Sequence, residues 1–176
     1  SKPAEALDYL QQSLSLNPDD DPHTHAIALS NIARAYSALK DYPQALEHGL
    51  QGLAMMEHLE DAASASYVLD ELGNINLHLG DYAQALKHLQ RGLEIKHDIG
   101  DPKGQAETQL LLARLFELQG SSEDAIHALQ EALALAQEIG APTETYKAHQ
   151  NLAKLFQGKS EYQQAFSHLE QYIKIK

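Results

Sequence analysis

The sequence predicts an all-α fold in which pairs of helices stack as a repeated unit. Alanines recur with a spacing of 40 residues at Ala45, Ala85, Ala125 and Ala165. A small residue lies 12 positions before each alanine, at Ala33, Gly73, Ala113 and Ala153. An aliphatic residue comes directly before each small residue, at Ile32, Leu72, Leu112 and Leu152. A fixed period in this range indicates a solenoid, in which each unit packs only against its neighbours.

The clearest unit runs from Leu69 to Asp101 and is typical of two amphipathic helices joined by a tight turn at Gly80-Asp81. Its apolar residues recur at helical spacing, at Leu69, Leu72, Ile75 and Leu79 and then at Ala85 and Leu89. Gly73 on the first helix and Ala85 on the second are small, so the two helices can approach each other closely.

The first element, from Lys2 to Leu16, matches only the second helix of a unit. Its Ala6, Leu10 and Leu14 correspond to Ala85, Leu89 and Leu93. Asn17-Pro18 is expected to end this helix, because the residue before a proline avoids helical geometry. No polar capping helix follows the last unit, so we interpret the chain as a fragment of a longer protein.

Aspartate and proline mark where the following helices begin. Asp21-Pro22 and Asp101-Pro102 combine a capping residue with a proline at the first helical position, and Ala141-Pro142 is a weaker version. Asp41 is expected to cap a second helix, and Gly100 to end one in the left-handed conformation. No stretch predicts a β-strand. The helices are predicted near residues 23–40, 43–58, 62–79, 82–99, 102–119, 122–139, 142–157 and 161–176.

Leu72, Gly73 and Asn76, followed by Ala85 and Leu89, resemble the tetratricopeptide repeat. The aromatic position of that pattern is filled better in the other units, by Tyr36, Phe116 and Phe156. The period is longer than the usual repeat of about 34 residues. In this respect the chain resembles the long-repeat subclass found in signalling scaffolds. HEAT repeats have a similar period, but the paired small residues and the tight turns before Tyr42 and Tyr82 favour the tetratricopeptide interpretation.

This resemblance implies a right-handed α-α superhelix of about four and a half helical-hairpin repeats. The whole chain would form a single array. It would contain a half repeat at residues 1–18 and full repeats at residues 22–60, 61–100, 101–140 and 141–176.

Composition excludes several classes of function. The formal net charge of −12 and the absence of a basic stripe argue against binding to nucleic acid. No apolar run reaches the roughly 20 residues that span a bilayer, so no membrane partner is expected. The chain has no cysteine, which is compatible with a cytoplasmic protein. These observations favour an acidic protein that binds other proteins.

No motif predicts an enzyme, a cofactor or a metal. The sequence has no nucleophile elbow, phosphate loop or dinucleotide fingerprint. His48, His88 and His168 share one register of the repeat, but neighbouring helices lie about 10 Å apart, too far for ligands of one metal. We expect these to be surface histidines that were copied with the repeat.

In the tetratricopeptide family the first helix of each repeat lines the concave surface. Carrying those inner positions over to this sequence predicts a partner-binding face that consists of Asn31, Arg34, Tyr67, Asp70, Asn74, Leu110, Arg114, Lys147, Asn151 and Lys154. Amides there could bind a peptide backbone, and cations could bind its carboxylates. Ser30 and Asp70 occupy the lysine position of the chaperone-type carboxylate clamp, which disfavours that ligand class. Solvation alone would also explain a polar inner face.

The predicted function is therefore a non-catalytic scaffold that binds a peptide or partner segment in its concave groove. Residues 162–172 resemble repeats that precede output domains in bacterial signalling proteins, which implies a regulatory module of a larger protein. The alternative is self-assembly through the apolar terminal helices, with Leu7, Leu10 and Leu14 at one end and Phe166, Leu169 and Ile173 at the other.

Overall fold

A computed structural model describes residues 2–16 and 21–175; side chains in the first helix are described at positions 3–5 and 7–12. Within these residues there are nine α-helices and no β-strand. The helices are α1 (Lys2–Leu16), α2 (Pro22–Ala38), α3 (Tyr42–His58), α4 (Ala62–Leu79), α5 (Tyr82–Asp98), α6 (Pro102–Gln119), α7 (Ser122–Glu138), α8 (Pro142–Gly158) and α9 (Tyr162–Ile175).

The predicted all-α fold is confirmed, and each helix boundary lies within about two residues of its predicted position. Pro22, Pro102 and Pro142 are each the first residue of a helix, as their cap patterns predicted. The predicted end of α1 at Asn17-Pro18 lies outside the described residues. The side chains of Ala6 and Leu14 lie outside them as well.

Aspartates cap most of the helices that follow a tight turn. The Asp41 carboxylate accepts a hydrogen bond from the backbone N–H of Gln44 at 3.3 Å, and Asp101 accepts one from Gly104 at 2.9 Å. The predicted cap at Asp21 was wrong, because its side chain accepts no such bond and α2 begins only with the backbone bond from His25 to the Asp21 carbonyl. Gly100 adopts the predicted left-handed conformation, with φ of 69°.

The chain divides into two compact units, Ser1–Ile95 and Lys96–Lys176, and the boundary falls inside α5. In the first unit α2 packs against α1, α3 and α4. Its core is a cluster of buried apolar side chains around Leu53, Met56, Leu69 and Leu72. Gly73 lies against Leu89, which confirms the close approach of the two helices that the small residue predicted.

In the second unit α6 packs against α7 and α8, and α8 packs against α7 and α9. Leu115, Leu129 and Leu152 are fully buried. Lys96, in the last turn of α5, is also fully buried, and its ammonium group donates a hydrogen bond to Thr108 Oγ1 at 3.0 Å. This position holds Met56 and Ala136 in the neighbouring repeats, so a cation here occupies an apolar position of the repeat.

The four alanines that define the period are not equally buried. Ala45, Ala85 and Ala125 are fully buried, whereas Ala165 is half-buried. No residue of α9 is buried. The side chains of Phe166 and Ile173 on this helix are exposed.

Candidate functional site

In the first unit a pocket of about 250 Å³ lies between α2 and α4. Its floor is apolar and contains Ala33, Gly49, Met56 and Val68. Its rim carries the remaining lining residues: Ile27, Ser30, Asn31, Arg34, Ser64, Tyr67 and Glu71. The predicted residues Asn31, Arg34 and Tyr67 therefore meet at one concave site.

Two large apolar side chains on this rim face solvent. Ile27 is 42% exposed and Tyr67 is 47% exposed. Both occupy the same register of the repeat and lie outside the buried stripe of α2 and α4. Because that stripe already supplies the packing of each helix, these two side chains contribute apolar area that a ligand can cover.

Polar groups surround this apolar area. Arg34 is exposed, whereas Asn31 and Glu71 are half-buried. Within the described part of the chain, none of these three side chains has a hydrogen-bond or ion-pair partner. The pocket thus combines an apolar floor with a free guanidinium, a free amide and a free carboxylate, a combination typical of specific binding sites.

Two residues of the first unit that were predicted to bind a partner, Asp70 and Asn74, do not line this pocket. Asp70 is only 8% exposed. A Cβ atom built on Gly92 of α5 would lie 3.1 Å from Asp70 Oδ1, so this carboxylate packs against the neighbouring helix. Asn74 is half-buried and is not among the residues that line the pocket. Asp70 consequently offers a partner little surface, which the register of the repeat could not reveal.

The remaining predicted residues lie in the second unit, on α6 and α8, which contact each other. Arg114, Lys147 and Lys154 are exposed, and Leu110 and Asn151 are half-buried. Burial raises the pKa of the Glu117 carboxyl, while the positive charges of Lys154 and Arg114 act in the opposite direction. These opposing effects indicate that Glu117 lies close to both cations on this surface.

Aromatic and histidine pairs between α8 and α9 were not predicted. The rings of Tyr146 and Tyr172 stack with centroids 4.8 Å apart. His149 Nδ1 lies 2.9 Å from His168 Nδ1, and the Phe156 ring stacks on His168 with centroids 5.5 Å apart. His168 is therefore half-buried and is not the surface histidine that was expected.

The signal for these pairs was present in the sequence. Tyr172 stands where the other repeats have Gly52, Gly92 and Ala132, and Tyr146 stands where they have Ala26, Ser66 and Ala106. A simultaneous change from small to aromatic at two facing positions predicts a direct ring contact.

In residues 2–16 and 21–175, no group of three or more histidine, aspartate or glutamate side chains is arranged to hold a metal ion. Of the helices in the same residues, none has the length and apolar character needed to cross a bilayer.

Comparison with solved structures identifies the class of fold. BtubC (BKLC) from P. vanneervenii is similar at a TM-score of 0.87 and 17% identity, over 99% of this chain and 73% of that protein. A putative kinesin light chain of Podosopora anserina with nearly identical TPR-like repeats is similar at 0.79 and 21%, over 98% and 86%. MamA from Desulfovibrio magneticus RS-1 is similar at 0.70 and 23%, over 98% and 85%. At these identities the likeness describes the fold alone.

The helical hairpins, their small-residue contacts and these similarities define an α-helical repeat protein of the tetratricopeptide type. The sequence profile of the tetratricopeptide repeat matches residues 1–58 and 61–138, so the chain belongs to this family. No curated protein matches the sequence. Repeats of this family typically form non-catalytic surfaces for contacts between proteins.

Proposed function

We propose that this protein is an interaction scaffold that binds a segment of a partner protein on the face formed by the first helices of its repeats. The observation that carries this proposal is the pocket between α2 and α4, where exposed Ile27 and Tyr67 adjoin the unpaired polar groups of Asn31, Arg34 and Glu71. No catalytic step is part of the proposal.

The lining of the pocket suggests the chemistry of a ligand. A volume of about 250 Å³ accommodates one large apolar side chain, which would lie between Ile27 and Tyr67. The Arg34 guanidinium suits a carboxylate of the same segment, because such pairs form two parallel charge-assisted hydrogen bonds. The Asn31 amide can donate to or accept from the peptide backbone. The partner segment therefore carries a large apolar residue that fills the pocket and an acidic residue beside it.

The second unit, taken by itself, carries similar chemistry. Arg114, Lys147 and Lys154 place positive charge along α6 and α8, and the Asn151 amide lies between them in sequence. In the proposal these residues bind further carboxylates of a partner, while half-buried Leu110 supplies apolar area.

Selection of displayed random peptides against the full chain, followed by affinity measurements with the selected peptide, tests this function. Arg34→Ala and Ile27→Glu are expected to weaken binding by roughly tenfold or more, since each removes one of the contacts described. Asn151→Ala is expected to weaken the binding of a peptide that contacts α6 and α8 within the second unit. None of these changes should lower the melting temperature, because Arg34 and Ile27 are exposed and Asn151 is half-buried.

Lys87→Ala is the matched control, because Lys87 is an exposed cation on α5, a second helix. It should leave the affinity unchanged. A selected peptide whose affinity falls equally with Lys87→Ala and with Arg34→Ala would contradict the proposed site. Unfolding of the Arg34 variant would assign that residue a structural role instead.

We also propose that the scaffold acts in the cytoplasm as the regulatory part of a larger bacterial signalling protein. The support is the resemblance of residues 162–172 to repeats that precede output domains. The parent gene tests this: an output domain encoded in the same reading frame would support it, and its absence would contradict it.

Self-assembly through the terminal helices is the second candidate function. It is favoured by Tyr9 on α1, which is largely exposed, and by the exposed Phe166 and Ile173 on α9. Leu7 and Leu10 are half-buried. Light scattering across a dilution series tests it, because a constant monomer mass at high concentration would exclude it.

A further inference from the structure

The pocket between α2 and α4 carries one charged residue on each of these two helices. Ile27, Asn31 and Arg34 are four and then three residues apart, so they share one face of α2. Tyr67 and Glu71 are four residues apart and share a face of α4 in the same way. Arg34 and Glu71 are the charged residues among those that line the pocket. The pocket therefore has a cation on its α2 side and an anion on its α4 side.

These two charges do not form an ion pair with each other. Within the part of the chain that the structure describes, neither Arg34 nor Glu71 has an ion-pair partner, although both line one pocket. The apolar floor of the same pocket contains Ala33, Met56 and Val68. A ligand whose apolar group lies on this floor can therefore place an anion against α2 and a cation against α4 at the same time.

Glu71 is a half-buried carboxylate that the packing of the repeat does not require. The equivalent positions of the other repeats hold Asn31, Leu111 and Asn151, and none of these residues is acidic. Removal of a carboxylate from water costs free energy unless a donor or a cation compensates for the lost hydration. An ammonium or guanidinium group compensates most strongly, because its hydrogen bonds to a carboxylate are charge-assisted. Glu71 therefore suits a basic side chain of the ligand.

A backbone N–H of the ligand is the weaker alternative partner for Glu71. Asn31, which lies in the same register on α2, already offers an amide oxygen to a peptide backbone. A segment with acidic residues alone would meet Glu71 as a like charge, and a segment with basic residues alone would meet Arg34 as one. Because like charges across an interface oppose binding, charge complementarity favours a segment of mixed charge.

We propose that Glu71 selects partner segments in which the large apolar residue lies between an acidic residue and a basic residue. The acidic residue binds Arg34 on α2, and the basic residue binds Glu71 on α4. Glu71 thereby determines specificity at the pocket of the proposed scaffold function, on which this assignment rests. A segment with acidic residues on both sides of the apolar residue binds more weakly than the mixed segment.

Selection of displayed random peptides against the full chain reveals which residues the pocket prefers. Against the wild-type protein we expect an acidic residue on one side of the apolar position and lysine or arginine on the other. Selection against Glu71→Gln should lose the preference for a basic residue and keep the preference for an acidic one. Glu47→Gln is the matched control, because Glu47 is an exposed acid on α3 that does not line the pocket. Both preferences should persist in this variant.

Affinities of one selected peptide measure the size of the effect. Glu71→Gln is expected to weaken binding about three- to tenfold. Replacement of the peptide's basic residue by alanine should weaken binding to the wild-type protein by a similar factor and leave binding to the Glu71→Gln variant unchanged. A peptide whose basic residue is changed to glutamate should bind Glu71→Lys more tightly than it binds the wild-type protein. Equal melting temperatures of the wild-type and Glu71→Gln proteins would show that the variant remains folded.

The outcomes distinguish the role of Glu71 from the scaffold function itself. Selected peptides that depend on Arg34 and Ile27 but show no basic preference would overturn the role of Glu71 and leave the scaffold function intact. Equal effects of Glu71→Gln and Glu47→Gln would overturn it as well. Enrichment of acidic residues on both sides of the apolar position would do the same and would identify a purely acidic partner. Failure to select any peptide that binds the pocket would contradict the scaffold function, and the role of Glu71 with it.

Discussion

Three turn residues adopt the left-handed conformation although they are not glycine. Lys40, Glu60 and Ser160 have φ of 63°, 56° and 62°. The equivalent turns of the other repeats use Gly80, Gly100, Gly120 and Gly140. A side chain in this conformation costs roughly 1–2 kcal/mol, because Cβ approaches the following carbonyl oxygen. Comparison of equivalent turns along the repeat therefore identifies the turns at Lys40, Glu60 and Ser160 as strained.

Glu60→Gly is expected to raise the free energy of unfolding by about 0.5–1 kcal/mol. Relief of the left-handed strain exceeds the extra chain entropy that glycine brings to the unfolded state. Urea denaturation of the purified protein measures the change. Gly100→Ala is the reciprocal control and should be destabilising; an unchanged or lowered stability for Glu60→Gly would contradict the argument.

Gly73 marks the closest contact between two helices of the first unit. A Cβ atom at this position would lie 2.6 Å from both Cγ and Cδ2 of Leu89, and Leu89 is fully buried. Gly73→Ala is expected to lower the free energy of unfolding by about 1–3 kcal/mol, because the leucine has no space to move. Thermal and urea unfolding report the loss.

Gly158→Ala is the control that distinguishes steric crowding at Gly73 from the difference in helix propensity between glycine and alanine. Gly158 is the last residue of α8, and a Cβ atom there would meet nothing within 4 Å. Alanine should therefore stabilise the helix slightly, by up to about 1 kcal/mol. Equal effects of the two glycine substitutions would show that packing against Leu89 is not what requires Gly73.

At the scale of elements, the contact between α8 and α9 is built differently from its counterparts. The other repeats place small residues at the positions of Tyr146 and Tyr172, whereas here two rings stack. His149 and His168 share a single hydrogen bond between their Nδ1 atoms, which requires one nitrogen to carry a proton and the other to accept it. Protonation of both rings abolishes this bond and places two positive charges side by side.

This pair is expected to make stability depend on pH. Burial lowers the pKa of both His149 and His168, and the charge of His168 lowers the pKa of His149 further. The unfolded chain, with a histidine pKa of about 6.5, then binds more protons than the folded chain at mildly acidic pH. Stability is fully present above the unfolded pKa and is lost as pH falls below it towards the folded values.

Unfolding free energies measured in urea between pH 7.5 and 5 test this expectation. The wild-type protein should lose stability over this range, and His168→Gln should show a smaller dependence on pH. His58→Gln, at the exposed end of α3, is the control and should retain the wild-type dependence. A wild-type slope in the His168 variant would contradict the assignment.

At the scale of the whole molecule, burial is unevenly distributed among the helices. Most residues of α4 from Ala65 to Leu77 are buried, whereas α9 has no buried residue. In repeat proteins stability is approximately a sum of the intrinsic stability of each repeat and its contacts with its neighbours. A helix with few buried side chains therefore opens at lower free energy than a helix with many.

Hydrogen exchange followed by mass spectrometry should detect this difference. Amides of α9 are expected to exchange at least about tenfold faster than those of α4, in keeping with the range of local opening free energies in native proteins. Uniform protection along the chain would indicate a single cooperative unit instead.

The sequence alone determined the helices, their turns and the small residues between them. These features depend on local chemistry: proline and aspartate at helix starts, glycine in left-handed turns, and apolar residues at helical spacing. Repetition then indicated the register of each face. Asn31, Arg34 and Tyr67 line one pocket, and their role in binding a partner stays a prediction. The single array of repeats at residues 1–176 stays a prediction.

Tertiary structure decided what covers each side chain. Register gives the direction of a side chain, but its burial depends on the helix that lies opposite. Asp70 packs against α5 although it was expected to face a partner, Lys96 is buried at an apolar position, and His149 meets His168 across two helices. These contacts join residues from different helices, so their energies depend on packing that no local pattern encodes.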